Sequence, residues 1–253
     1  MEQQEPQAIL QRSEERGRGG LAVDWLDTRF CFSFADWQDR RWVHWGPLRV
    51  LNEDRIAAQQ GFGAHRHSGM EIVTYVLEGA IHHRDSTGGE GVIRPGEAQR
   101  MSAGSGLTHS EWNDGHETCR LLQTWIFPDA AHKHTEPSYE ARPIPEGARE
   151  EGWHVVAEGR RGRKPGQGTV TIGQDAAVLA TLVKEGDRRT LDVPKGRLGF
   201  LFVVDGEVEA GPHGTLQAGD SLRFFGGAPF EARAKRGTHL FAYDLVRMAD
   251  VPF

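Results

Sequence analysis

Apolar residues along this chain recur in short runs, not in long helical stripes. "EIVTYVLEG", "GVIRPGE", "CRLLQTWIF", "AVLATLVKEG", "GFLFVVDGEVEA", "DSLRFFGG" and "HLFAYDLV" are rich in Val, Ile, Leu, Thr and Phe, with turn residues between them. Branched and aromatic side chains suit a pleated surface, and Gly, Pro, Asp and Asn break it into strands. Few stretches hold a 3.6-residue period long enough for a substantial helix. Many short strands at this spacing predict an all-β chain built as antiparallel barrels or sandwiches.

The segment 128–152, "PDAAHKHTEPSYEARPIPEGAREEG", interrupts the pattern with four prolines and many charges. It divides the chain into an N-terminal barrel over 1–130, a linker over 131–152 and a C-terminal barrel over 153–253. The halves carry a faint repeat. "VLEG" at 76–79 is followed by "IRPGE" at 93–97, and "VVDG" at 203–206 by "LQAGD" at 216–220. Two turns in the same order point to duplicated barrels.

Composition narrows the function. With 253 residues, 38% hydrophobic, and a net charge of −6, the chain reads as a soluble globular protein without a broad basic face for nucleic acid or anionic lipid. The one basic cluster, "GRRGRKPGQG" at 159–168, reads as a solvated loop. Two cysteines, Cys31 and Cys119, are too few for a secreted disulfide framework. The opening "MEQQEPQAIL" is polar and acidic, unlike a signal peptide, and "LGFLFVV" at 198–204 is too short to span a bilayer. These features predict a cytoplasmic protein without membrane or direct nucleic-acid partners; they leave the oligomeric state open, with a monomer favoured.

The candidate chemistry lies in "GFGAHRHSGMEIVTYVLEG" at 61–79 and "GSGLTHSEWN" at 104–113. Residues i and i+2 of a strand share a face, so His65 and His67 form one pair of donors and His109 and Glu111 another. Converging inside a barrel, three imidazoles and a carboxylate make a four-ligand set for one divalent transition metal, with open positions in an octahedral shell. The absence of a thiolate argues against a closed structural zinc site. The same offsets in the second half reach Asp192, Pro194, Ala232 and Ala234, so that barrel is expected to lack a site. Glu71, His82 and His83 are weaker candidates near the pairs; His132 and His134 read as solvated. Trp25, Trp37, Trp42 and Trp45 read as core packing, with a stacking wall for an aromatic ligand as the sharper alternative.

The stretch 61–113, with "RSEERGRGG" at 12–20, "FSFADW" at 32–37 and "GPLRVLNED" at 46–54, resembles the pirin family of bicupins. The resemblance implies two jelly-roll-like cupin barrels and one metal in the first, held by His65, His67, His109 and Glu111. It implies iron as the usual metal, with Mn, Co, Ni, Cu or Zn also compatible with the ligand set. It further implies a quercetin 2,3-dioxygenase-like activity on a flavonol and O₂; in such a reaction Glu111, besides being a ligand, is the candidate general base for the substrate hydroxyl. Two departures stand out: Arg66 replaces the usual proline between the histidines, and Phe30-Cys31 stands where relatives commonly carry a histidine. The rival expectations are a metal-dependent regulatory protein without turnover, or a cupin oxygenase or isomerase acting on another oxygen-rich molecule.

Overall fold

The computed structural model describes residues 8–20 and 22–248. The opening segment read as unlike a signal peptide falls mostly within residues 1–7, outside the described residues.

The chain is nearly all antiparallel β, as its patterning predicts. One seven-stranded sheet runs, in spatial order, Ser138–Pro143, Glu97–Ser102, Glu71–Glu78, Cys119–Ile126, Leu48–Ile56, Leu26–Phe30 and Gly17–Gly19. A four-stranded sheet, Gln60–His67, Leu107–Asn113, Ile81–Asp85 and Glu90–Ile93, completes the first barrel. The C-terminal half forms a nine-stranded sheet whose centre is two long strands, Arg197–Glu209 and Phe230–Val246. Helix is confined to short pieces, of which Ala148–Glu151 is the one α-helix among the described residues.

The ends of the halves are interleaved. Strand Ala8–Gln11 pairs with Ser221–Phe225 of the second half. Strand Ser138–Pro143, inside the segment expected as a linker, pairs with Glu97–Ser102 of the first. Alternation along "SYEARP" gives that segment enough strand character to finish a sheet edge. The interface is itself a core. Phe32, Leu51, Tyr75 and Leu122 of the first half pack with Phe200, Phe202, Phe241 and Tyr243 of the second in one buried cluster. Polar ties cross it: Thr124 and Tyr243 share a hydroxyl hydrogen bond of 2.7 Å, and Arg120 Nη1 reaches Asp205 at 2.9 Å.

The repeat is visible in the backbone. Gly79 and Gly206 both have positive φ, 70° and 90°, and so do Gly96 and Gly219, at 86° and 88°. A side chain at Gly79 would press on the Thr118 carbonyl at 2.9 Å, and one at Gly206 on the Gly237 carbonyl at 2.5 Å. Glycine is required by both conformation and close approach. The copies differ in one respect. The first breaks at Gly79 into separate strands, whereas the second runs on through Gly206 as one bulged strand.

Candidate metal centre

Strands Gln60–His67 and Leu107–Asn113 pair so that His65 lies opposite His109 and His67 opposite Leu107. The pleat turns His65 and His67 to one side and Arg66 to the other, where its Nη2 donates to the Ser105 carbonyl at 3.3 Å. The three imidazoles meet in a triangle, with ring centroids 4.8 Å apart for His65–His67, 4.4 Å for His65–His109 and 4.9 Å for His67–His109. One donor nitrogen from each lies within 4.8 Å of the others.

The protonation pattern suits a cation. The Nδ1–H of His65 donates to the Gly63 carbonyl at 2.8 Å, which leaves Nε2 as the atom available to a ligand. His109 Nε2 is buried with no hydrogen-bond partner. Burial, reinforced by the neighbouring imidazoles, pushes His67 down to about 4 and His109 to about 2, so both are neutral near pH 7. Neutral imidazoles converging on a point, one with an orphaned nitrogen, form a cluster that could hold a metal ion.

Glu111 is reached differently. A register shift between His109 and Glu111 breaks the pairing with Gln60–His67, while pairing with Ile81–Asp85 stays regular and sets Glu111 opposite His83. Its carboxylate therefore groups within 4.8 Å of His83 and His109, and His109 is the member shared with the three-histidine group. The structure thus groups three of the four expected residues and places the fourth within the same reach of His109, on the wall of the cavity that His65 and His67 also line. Glu111 is 3% exposed. It accepts hydrogen bonds from Gln123 Nε2 at 2.7 Å, Thr74 Oγ1 at 3.3 Å and Gln99 Nε2 at 3.4 Å. All three donors are neutral, and among the described residues no lysine or arginine pairs with it. A buried carboxylate held only by neutral donors could take a cation from outside the chain.

The group opens into a cavity of about 510 Å³, within the usual size for small-molecule sites. Phe30, Phe34, Trp37, Phe62 and Trp125 form its aromatic walls; Asn52, Asp54 and Gln123 add polar points. Trp125 packs edge-on to His67 at 4.8 Å and donates to Gln123 Oε1 at 2.9 Å, so one chain of contacts fixes imidazole, indole, amide and carboxylate. Burial pushes the Asp54 carboxyl up to about 7, against the hydrogen bond from Thr28. Of the four clustered tryptophans, Trp37 lines the cavity, while Trp42 lies under the Arg223 guanidinium, Trp45 against Phe225 and Trp25 against Phe62. Phe30 is the cavity-facing member of the Phe30-Cys31 pair. Cys31 is fully buried, and burial raises its thiol to about 11. Glu71 accepts from Ser102 Oγ at 2.6 Å. His132 and His134 are exposed.

Gln123, Thr74, Gln99 and Asp54 were not singled out by sequence reasoning. Their signal is a polar residue on the inward face of an otherwise apolar strand, as in "CRLLQTWIF" and "EIVTYVLEG".

Comparison with known proteins agrees with this architecture. Residues 10–126 match the family model described as Pirin, and residues 162–245 the Quercetinase C-terminal cupin domain. A pirin-like protein of Caulobacter vibrioides is 40% identical over 191 residues, covering 76% of this chain and 80% of the relative. The Escherichia coli K12 protein named quercetin 2,3-dioxygenase is 45% identical over 134 residues, 53% of this chain and 56% of that one. The crystal structure of bacterial pirin YhhW from Escherichia coli in complex with nickel(II) superposes with a TM-score of 0.85 at 31% identity, covering 95% of this chain and 100% of the other. With matched cupin models in both halves and 40% identity across most of a pirin-like relative, this chain belongs to the pirin family of bicupins.

Proposed function

We propose that this chain is a metal-dependent dioxygenase that cleaves flavonols such as quercetin with O₂. His65, His67, His109 and Glu111 would hold one divalent transition metal, Fe(II) being the assignment to test first. The observation that carries the reading is the convergence of three imidazoles beside an aromatic-walled cavity, with a carboxylate held only by neutral donors on the same wall. Relatives that bear the name quercetin 2,3-dioxygenase support it.

The metal, when bound, would acidify a coordinated hydroxyl and supply the open positions at which substrate and O₂ meet. The chain's own residues do the rest. The aromatic walls take the flat rings of a flavonol and keep water out. Glu111 accepts the 3-hydroxyl proton, and Gln123, Thr74 and Gln99 hold its carboxylate in place while it does so. Trp125 and Gln123 keep His67 and Glu111 in fixed relation.

The test is incubation of iron-loaded protein with quercetin, aerobically and anaerobically, following the visible absorbance of quercetin and O₂ uptake. Oxygen-dependent bleaching with matching O₂ consumption is the expected result. Tight quercetin binding without O₂ uptake at full iron occupancy would replace the dioxygenase reading with a regulatory, ligand-binding one.

A further inference from the structure

Behind His109, on the side away from His65 and His67, lies a buried file of groups that the proposed reaction does not use. His109 Nδ1 lies 3.3 Å from His83 Nδ1, and His83 Nε2 lies 2.9 Å from Asp85 Oδ2. The side chains of His83 and Asp85 are fully buried. The Tyr139 ring stacks on His83 at 4.7 Å and 18°, and fixes its plane. Gly91 leaves room for that tyrosine, because a side chain there would meet the Tyr139 hydroxyl.

With His83 neutral, donor and acceptor logic orders the protons along the file. Asp85 Oδ1 is saturated by Thr87 N at 2.8 Å, Thr87 Oγ1 at 2.6 Å and Gly89 N at 3.0 Å. Its Oδ2 is left to accept from His83. His83 therefore carries its proton on Nε2, and its Nδ1 holds a lone pair. Two facing nitrogens 3.3 Å apart need one proton between them, so His109 carries its proton on Nδ1 and donates to His83. The lone pair of His109 is then on Nε2, the buried atom without a partner, and His109 is the imidazole grouped with His65 and His67.

We propose that His83 and Asp85 are positioning residues that set the tautomer of His109, so that a buried His–Asp pair, and not a backbone carbonyl, presents this imidazole to the metal. Metal-binding imidazoles commonly donate their other nitrogen to an acceptor, and loss of that acceptor typically costs about 10–100-fold in metal affinity. His83, His109 and Glu111 also lie close enough to suggest a rival, a second metal on the inner side of His109. The two readings exclude each other, since a proton on His109 Nδ1 blocks ligation there.

The inference rests on the metal-site reading above, and two measurements separate them. The first needs no variant and no metal: nitrogen-15 correlation spectra of the imidazoles in metal-free wild type near pH 7. His109 is expected with a protonated Nδ1 and an unprotonated Nε2; the opposite tautomer overturns the proposal even if metal binds. The second is Ni²⁺ affinity by chelator competition, with Ni²⁺ content per chain, for wild type, His83→Gln, His83→Leu and Asp85→Asn. Glutamine keeps a carbonyl acceptor for His109, so its affinity should stay within a few-fold of wild type. Leucine removes the acceptor at similar volume and should weaken Ni²⁺ about 10–100-fold while metal-free thermal unfolding shows a folded protein. Asp85→Asn should fall between. Equal losses in Gln and Leu would reduce His83 to a packing role, and two Ni²⁺ per wild-type chain would establish the second-metal rival. Wild type that binds no Ni²⁺ while showing the expected tautomer would sink the metal-site reading and leave the relay standing.

Discussion

The two halves of this protein use related strands to enclose opposite interiors. The first barrel turns His83, His109, Glu111, Thr74, Gln99, Asn52 and Asp54 inward, all buried. The second fills its interior with Leu179, Leu191, Val193, Leu201, Val203, Leu222 and Leu240. Positions at the offsets of the ligand pairs fall on Asp192 and Pro194, which are exposed, and on Ala232 and Ala234, which are buried in that apolar cluster. Among the described residues, both groups of close metal-binding side chains lie between residues 65 and 111. A polar interior must be compensated by hydrogen bonds or a cation, whereas an apolar one stabilises by its own packing. The comparison teaches a division of labour: one barrel carries a costly site, and the other supplies the packed face that supports it.

The largest effects should come from removing what only the first barrel holds. His109→Ala deletes an imidazole shared by both side-chain groups, so metal content and flavonol-dependent O₂ uptake should fall together toward background. Glu111→Gln should keep most of the metal through three imidazoles yet lose on the order of 10²–10⁴-fold in turnover, as expected for a lost general base. Full activity in this variant would remove Glu111 from that role. Wild type reconstituted with a single divalent metal should hold about one ion per chain, a count set by the single three-histidine group. A second ion would overturn that count.

The second barrel should be the more sensitive to carving. Leu201 is fully buried in its apolar cluster, and Leu201→Ala should cost about 2–5 kcal/mol by chemical denaturation. Thr74→Ala in the first barrel removes one hydroxyl and should cost about 1–2 kcal/mol. A reversal of that order would contradict the contrast.

Acid should act through the interface between the halves. His239 Nε2 shares a hydrogen bond with the Tyr75 hydroxyl at 3.2 Å, and burial, with Arg149 and Arg120 nearby, pushes it down to about 3. The unfolded chain binds that proton more readily, so the stability carried by neutral His239 is complete above its ordinary value near 6.5 and is lost as pH falls toward 3. The loss should be on the order of 1–3 kcal/mol, and His239→Gln should flatten the acid limb of the Tm–pH curve. Asp54 acts with the opposite sign: its raised carboxyl favours the folded state below the usual carboxylate range, a contribution lost as pH rises through about 7. An unchanged acid limb in His239→Gln would assign the loss to other groups.

The smallest effect belongs to Arg66→Pro. Arg66 points away from the imidazoles on a strand at the edge of its sheet, where proline is tolerated, so Ni²⁺ affinity should change by no more than a few-fold. A stripped metal would show that the histidine register depends on the Arg66 backbone.

Much of this molecule is written in local pattern. Period-two alternation put His65 and His67 on one face and Arg66 on the other, because side-chain direction in a strand is a property of the strand alone. Turn glycines at 79, 96, 206 and 219 declared both barrels for the same kind of reason. The His82-His83 pair showed in sequence that one imidazole faces in and the other out, but not which. Tertiary structure alone chose His83, through the pairing that sets it opposite Glu111 and leaves His82 to Asp114 and Glu90. The same holds for Glu111, whose i+2 spacing gave it the buried face that His109 shares, while the pairing that sets it opposite His83 decided its neighbours. It holds also for Tyr139, which came from the expected linker to stack on His83. Spacing along one strand is fixed by covalent geometry, but the meeting of residues from different strands is fixed by register, and register is decided only when every strand of the barrel has found its neighbour.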